Sequence, residues 1–332
     1  MKQKTDNDYI FLSTRVKAME RNLLTGERIE QMLDAHTNED AAKVLTECGY
    51  SEMAEVTDQE LDRVLREQQQ KIMADLGSSA PNKFIVELFK LRYDYHNAKV
   101  LVKAEALNSD QDQLLMSGGR YERQRLAEDF RREDMLGYSD RFRRGISRAR
   151  EVLGSTGDPQ QVDFILDRAY FEELSDLAKA SESKFLEDYA ALSIDVANLR
   201  SVVRAARLNK GADFLSQVLV PGGTVSVRSL SGARGEELGV LFHTSRLAEA
   251  AAEGAAKTLP GSGPLTDFER MCDDAVMSFL SDGRRVPFGP EPIAGYIYAR
   301  ESEATMIRII MSGRMAGLDR ATIRQRLRRT YA

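Results

Sequence analysis

An all-α fold is predicted by three features of this sequence. Ala, Leu, Glu, Arg and Lys, the residues that lose least on entering a helix, are abundant. Apolar positions recur at spacings of three and four over long stretches, and only "TVSVRSL" alternates in a way that reads as a strand. At 332 residues, with 42% hydrophobic and 30% charged residues and only 8 prolines, the chain is long enough for two or three helical units with separate cores.

The elements follow in chain order. The start, "MKQKTDNDYIFLSTRVKAMERNLL", lacks the apolar core of a signal peptide, and no stretch reaches the roughly 18 apolar residues that span a membrane. "HTNEDAAKVLTECGY" predicts a helix with Thr37 as N-cap, Asp40 in the first turn and Gly49 at the stop. Helical stretches open at "LDRVL" (Leu61), "LDRAY" (Leu166) and "FERMC" (Phe268), and each leads into a long helix. Those long helices are one segment written three times. From Phe84 the chain reads "FIVELFKLRYDYHNAKVLVKA", from Phe185 "FLEDYAALSIDVANLRSVVRA", and from Ile293, more weakly, "IAGYIYARESEATMIRIIMSG".

Without a gap, Asp94 falls on Asp195 and Glu303, Asn97 on Asn198 and Met306, and Lys99 on Arg200 and Arg308. The apolar stripe repeats with them: Leu88, Leu91, Tyr95, Ala98 and Val102 in the first copy, Tyr189, Leu192, Val196, Leu199 and Val203 in the second. Each copy is therefore a core helix, with small residues matched at Ala104, Ala205 and Gly313; Arg300 interrupts the stripe of the third. The repeat period, near 101 and 108 residues, is that of a domain, not a solenoid. Cuts placed after each core helix, where polar residues and Gly replace the apolar period, give three similar helical domains at 1–108, 109–211 and 212–332. The third contains the loosest part of the chain, between Pro221 and Pro290. Inside it "TSRLAEAAAEGAAKTL" reads as a helix, and "LTDFERMCDDAVMSFL" as another with Thr266 as N-cap and Glu269 completing a capping box.

The search for chemistry is negative. His36, His96 and His243 fit no metal-ligand spacing, and Cys48 and Cys272 are far apart with no CxxC, which fits a reducing cytoplasm. Asp94, His96, Asn97 and Lys99 resemble a catalytic cluster, but His96 is replaced by Ala197 and Thr305 in the other copies. A general base would not be the least repeated part of its own motif, so the residues that do repeat are read as a structural polar network at the edge of a packed helix. "GAAKT" at Gly254 lacks the spacing of a phosphate loop, and the carboxylate pairs at Glu172, Glu236 and Asp273 read as solvated surface. No catalytic, cofactor-binding or metal-binding residue is assigned. The net charge of -5 excludes a general nucleic-acid binder.

Two basic runs stand out in this acidic chain. "RATIRQRLRRTYA" predicts an amphipathic terminal helix with Ile323, Leu327 and Tyr331 on one side, and Arg324, Arg328 and Arg329 as candidate contacts to an acidic partner. "FRRGISRAR" at Phe142 is the second run.

"YIFLSTRVKAMERNLL", "KLRYDYHNAKVLVKA", "TGDPQQVDFILDRAYFEEL", "LSIDVANLR", "FLSQVLVPGGT" and "EPIAGYIYARESEATMIRIIMSGR" together resemble the C-subunit family of V-type and archaeal-type ATPases, homologous to the eukaryotic d-type protein, collinearly from Tyr9 to Tyr331. The resemblance implies three helical domains about a pseudo-threefold axis, in a funnel or socket shape. It implies a non-catalytic central-stalk component, peripheral on the cytoplasmic side of the membrane, that couples ATP hydrolysis or synthesis to proton or sodium transport. The implied partners are the central shaft subunits and the membrane proteolipid ring, with no nucleic acid and no membrane insertion. A general helical scaffold and an enzyme using the Asp94 cluster are the alternatives, separated by whether the chain binds shaft and ring together.

Overall fold

The computed structural model describes residues 6–259 and 261–331, and they are all-helical, with no strand among them. In order these are α1 (Asp6–Met19), α2 (Gly26–Asp34), α3 (Asn38–Glu47), α4 (Asp58–Ser79), α5 (Phe84–Ala106), α6 (Arg123–Arg131), α7 (Asp140–Thr156) and α8 (Pro159–Ala180). There follow α9 (Lys184–Arg207), α10 (Ala212–Val218), α11 (Val227–Gly232), α12 (Glu237–Leu241), α13 (Ala248–Lys257), α14 (Thr266–Asp282), α15 (Pro290–Met315) and α16 (Arg320–Arg324). Contacts divide the chain into two compact units, Met1–Val86 with Pro264–Ala332, and Glu87–Gly263.

In the first unit α15 is the central helix, packed against α1, α3, α4 and α14. Leu24, Ile29, Met32, Leu45, Leu61 and Val64 share one apolar core with Met306, Ile307, Ile310 and Met311 of α15. The end of the chain thus shares a core with its beginning. In the second unit α7 lies along α8, α8 along α9, and α9 carries α10, α11 and α13. Tyr95 of α5 meets Phe142 of α7 edge-on at 5.3 Å between ring centres, and Tyr170 of α8 at 5.8 Å.

The repeated stripe is buried as its spacing requires. Leu88, Leu91, Tyr95, Ala98 and Val102 are buried, and so are Tyr189, Leu192, Val196, Leu199 and Val203. Leu61, Leu166 and Phe268 of the preceding helices are buried too, but Leu166 does not open its helix: α8 begins at Pro159, where Asp158 supplies the N-cap. All three core helices end in the same cap. The N–H of Ser109, Lys210 and Leu318 donates to the carbonyl of Ala104, Ala205 and Gly313, respectively. The residue before each donor, Asn108, Asn209 or Gly317, is left-handed, at φ 47°, 52° and 71°.

Thr37 caps α3 by accepting the N–H of Asp40 at 3.1 Å, and Gly49 stops the chain at φ 85°. Thr37→Ala is expected to cost about 1 kcal/mol, the usual loss for an N-cap, read as a lower urea midpoint at unchanged slope.

Three local expectations fail for physical reasons. "TVSVRSL" has no neighbouring strand to pair with among the described residues. Ser226 instead caps α11 by accepting the Ser229 N–H at 3.1 Å. Thr266 is the first residue inside α14, so the N-cap is Leu265 and carries no side-chain cap. The terminal helix stops at Arg324, and Leu327 to Tyr331 run on without helix. Arginines crowd that segment, so a further turn would stack like charges. Buried Tyr331 rests on Gly295 of α15, where a Cβ would come within 2.5 Å of its hydroxyl oxygen, and Arg284 donates to its carbonyl at 2.7 Å.

Candidate functional site

The repeated acids of the core helices are joints. Asp94 is fully buried, and its Oδ1 accepts the backbone N–H of Arg120 at 3.0 Å and of Tyr121 at 3.3 Å. Its Oδ2 accepts Nε of Arg120 at 2.7 Å. One turn along α5, Asn97 pairs with the backbone of Met116 in both directions, donating to its carbonyl at 2.8 Å and accepting its N–H at 2.7 Å. The acid and the amide together hold a tight loop, "MSGGRY" (Met116–Tyr121), against the helix.

The same clasp recurs on α9. Buried Asp195 accepts the N–H of Thr224 at 3.0 Å and of Val225 at 3.3 Å, and the Thr224 hydroxyl. Asn198 pairs with Val220 in both directions at 2.8 Å. The loop here is "VPGGTV" (Val220–Val225), which aligns with "MSGGRY" residue for residue. In both, the first glycine is left-handed, at φ 99° for Gly118 and 109° for Gly222. The second glycine lies against the acid: a Cβ on Gly119 would sit 2.2 Å from Asp94 Oδ1, and one on Gly223 2.1 Å from Asp195 Oδ1.

On α15, Glu303 accepts the N–H of Leu24 and is bonded by the Tyr50 hydroxyl at 2.6 Å and by Arg300. The buried guanidinium of Arg300, which breaks the apolar stripe, also donates to the Tyr296 hydroxyl oxygen at 2.9 Å and the Cys48 carbonyl at 3.3 Å. Met306, in place of the asparagine, packs in the apolar core. In all three clasps the acid holds the residue just before a helix N-cap: Tyr121 before Glu122, Val225 before Ser226, Leu24 before Thr25.

The repeated bases do related work. Lys99 pairs with Asp167 of "LDRAY" at 2.6 Å, and Arg308 with Asp62 of "LDRVL" at 2.7 Å. Arg200 lies half-buried on α9. His96 bonds the Leu114 carbonyl through Nε2 at 3.1 Å, a backbone contact and not an acid–base pair. Of the terminal arginines, Arg324 pairs with Glu30, and Arg328 with Asp273 at 2.7 Å. The Arg329 backbone N–H bonds Asp274 at 2.7 Å while the residue itself is exposed. In "FRRGISRAR", Arg148 pairs with Glu151 and Arg150 with Glu105, both at 2.7 Å, and Arg144, 83% exposed, stands 3.8 Å from Asp140.

The first clasp contains a buried charge network that sequence reading missed. Arg120 bridges Asp94 and Glu173 of α8, at 2.7 and 2.8 Å, and Tyr95 donates to the other oxygen of Glu173 at 2.7 Å. Burial pushes the Asp94 carboxyl up to about 6, against the pull of the Arg120 charge and its hydrogen bonds. Burial raises Asp195 as well, with Thr224 and Val225 pulling back. The native state therefore holds these protons more tightly than the unfolded chain. Their stabilising contribution is full below the unfolded carboxylate range and is lost as pH rises through the folded value. A carbon-13 carboxyl titration is expected to place Asp94 near 6; a midpoint in the ordinary carboxylate range contradicts this.

Chemically, these carboxylates are saturated by donors and act as fasteners. Among the described residues no group of three or more His, Cys, Asp or Glu is placed to hold a metal ion, and no helix is long and apolar enough to cross a membrane.

Comparison with known proteins adds a full-length match. The family described as ATP synthase (C/AC39) subunit matches residues 12–326. The C subunit of the V-type sodium ATPase of Enterococcus hirae is 24% identical over 328 residues, covering 98% of this chain and 99% of that one. The C subunit of the V-type ATP synthase of Thermus thermophilus is 25% identical over 338 residues, covering 96% and 98%. The C subunit of the A-type ATP synthase of Haloferax volcanii is 31% identical over 184 residues, covering 54% and 52%.

Proposed function

Since this chain belongs to the ATP synthase (C/AC39) subunit family, we propose that it is the non-catalytic central-stalk component of a rotary V-type or A-type ATPase. In this reading it links the rotating shaft to the membrane proteolipid ring from the cytoplasmic side. It thereby couples ATP hydrolysis or synthesis to proton or sodium transport. Three similar helical domains about a pseudo-threefold axis, forming a socket, would give the two faces that such a link requires.

The clasp carries this reading. A part that transmits torque has to resist shear between its helices. Here the most buried polar groups of the core helices, Asp94, Asn97, Asp195, Asn198 and Glu303, all hold backbone of the segments packed against them. Dense helix packing supplies low compressibility, and the clasps add directional bonds that fix register. Arg329, which is exposed, is the basic group best placed for an acidic partner; Arg144 is exposed but stands 3.8 Å from the Asp140 carboxylate. Arg324 and Arg328 are already paired with carboxylates of this chain, so as contacts they would have to exchange partners.

The test is assembly. Purified chain mixed with shaft subunits and detergent-solubilised ring is expected to give one ternary complex by native mass spectrometry. Binding to neither partner contradicts the proposal. Binding to unrelated helical proteins instead favours a general scaffold.

A further inference from the structure

The third clasp lacks a fastener that the other two have. In "MSGGRY" and "VPGGTV" the acid holds the last residue of the hexapeptide, Tyr121 or Val225, and the asparagine holds the first, Met116 or Val220. The equivalent hexapeptide, just before the N-cap of α2, is "MERNLL" (Met19–Leu24). Glu303 holds its last residue, Leu24. Met306 stands where the asparagine would be and packs in the apolar core, so the side chain that bonds the near end in the other clasps is missing here.

The end of the chain stands at that gap. Glu20, second in the hexapeptide, has a side chain only 9% exposed, and the cations beside it, Arg284 Nε at 3.7 Å and Lys17 Nζ at 4.0 Å, are beyond hydrogen-bonding distance. Its Oε1 and the hydroxyl of Tyr331 are both buried, and neither has another hydrogen-bond partner. They are near neighbours: burial first, and then the Glu20 charge, raises the Tyr331 phenol above its usual range. A donor and an acceptor left over in one buried place satisfy each other. The site also fits the ring. Gly295 leaves it room, since a Cβ there would stand 3.0 Å from Tyr331 Cε2, and the Arg284 guanidinium lies 5.1 Å from the ring centre.

We propose that Leu327–Tyr331 is a releasable strap that supplies the missing fastener of the third clasp, through a hydrogen bond from the Tyr331 hydroxyl to Glu20. The first two clasps have no such release, because Asn97 and Asn198 are buried on core helices and leave only if those helices do. The strap is held differently. It has no helix of its own, and Tyr331 is its one buried side chain. The rest of the hold is half-buried Leu327, the partly exposed pair of Arg328 and Asp273, the Arg329 N–H on Asp274, and Arg284 on the Tyr331 carbonyl. Such exposed contacts hold weakly. When the strap leaves, the near end of Met19–Leu24 is freed, and the joint between the beginning of the chain and α15 loosens while the other two stay shut.

Amide hydrogen exchange of the full chain, resolved by residue with NMR, tests this. The Arg329 amide, bonded to Asp274, reports the strap, and the Leu24 amide, bonded to Glu303, reports the third clasp. The Arg120 and Thr224 amides report the other two. Y331F keeps the ring and removes the donor, and is expected to speed exchange at Leu24 at least threefold. Y331A is expected to open the strap at Arg329 and to speed Leu24 at least tenfold. Arg120 and Thr224 are expected to stay within twofold of wild type in both. Leu24 exchange within twofold of wild type in either variant overturns the proposal, as does an equal rise at Leu24, Arg120 and Thr224, which would mark a global loss of stability.

Discussion

Gly119→Ala is expected to destabilise the protein by about 3 kcal/mol or more, with Gly223→Ala close behind. Overpacking a tight site costs roughly 1–3 kcal/mol, and displacing a buried acceptor from its donors adds a desolvation cost of about the same size. The added methyl would sit 2.2 Å from Asp94 Oδ1 and 3.2 Å from its Cγ, or 2.1 Å from Asp195 Oδ1 and 3.0 Å from its Cγ. Neither carboxylate can retreat without releasing the backbone N–H groups it accepts, because it is enclosed in the core. Gly154→Ala is the control. It lies within α7, nothing is within 4 Å of its added Cβ, and the change is expected to stabilise by about 0.5–1 kcal/mol through helix propensity. Urea unfolding checks all three; equal effects at Gly119 and Gly154 would show that the clasp loop is not tightly held.

Arg120→Met is the second large effect, about 3–5 kcal/mol. It leaves Asp94 and Glu173 buried without their shared cation, and an uncompensated buried charge costs more than the pair contributes. The loss is expected to shrink as pH falls, since protonating Asp94 removes the stranded charge and its carboxyl would titrate even higher than about 6 without the guanidinium. Adding Glu173→Gln should recover part of the loss, and a strictly additive double mutant would contradict the network.

How much of this was legible in the sequence depends on distance along the chain. Within a helix the register is fixed, so a gap-free comparison brought Asp94, Asp195 and Glu303 together with their apolar stripes. Their partners were harder. Met116 lies 19 residues after Asn97, but Val220 lies 22 after Asn198, so the alignment loses register where the helix ends. The matching strings "MSGGRY" and "VPGGTV" were the available signal, since two adjacent glycines mark a place where backbone must turn and approach closely. The partner of Glu303 was out of reach: Leu24 stands 279 residues upstream, and only folding brings them together. Arg300 looked like a defect in the third stripe and is the internal cation of the third clasp. Apolar residues that recur every four positions around the terminal arginines predict a helix face, a pattern that an extended segment pinned by Tyr331 at Gly295 also accommodates.

The proposed role as a mechanical link is tested most directly by removing the chain. ATP hydrolysis and ion transport are to be measured together in vesicles reconstituted with the ATPase, first without this chain and then with it added back. The account predicts that hydrolysis continues without the chain while ATP-driven transport is abolished, and that adding the chain restores transport. Transport that persists at an unchanged ratio of ions to ATP without this chain would contradict it.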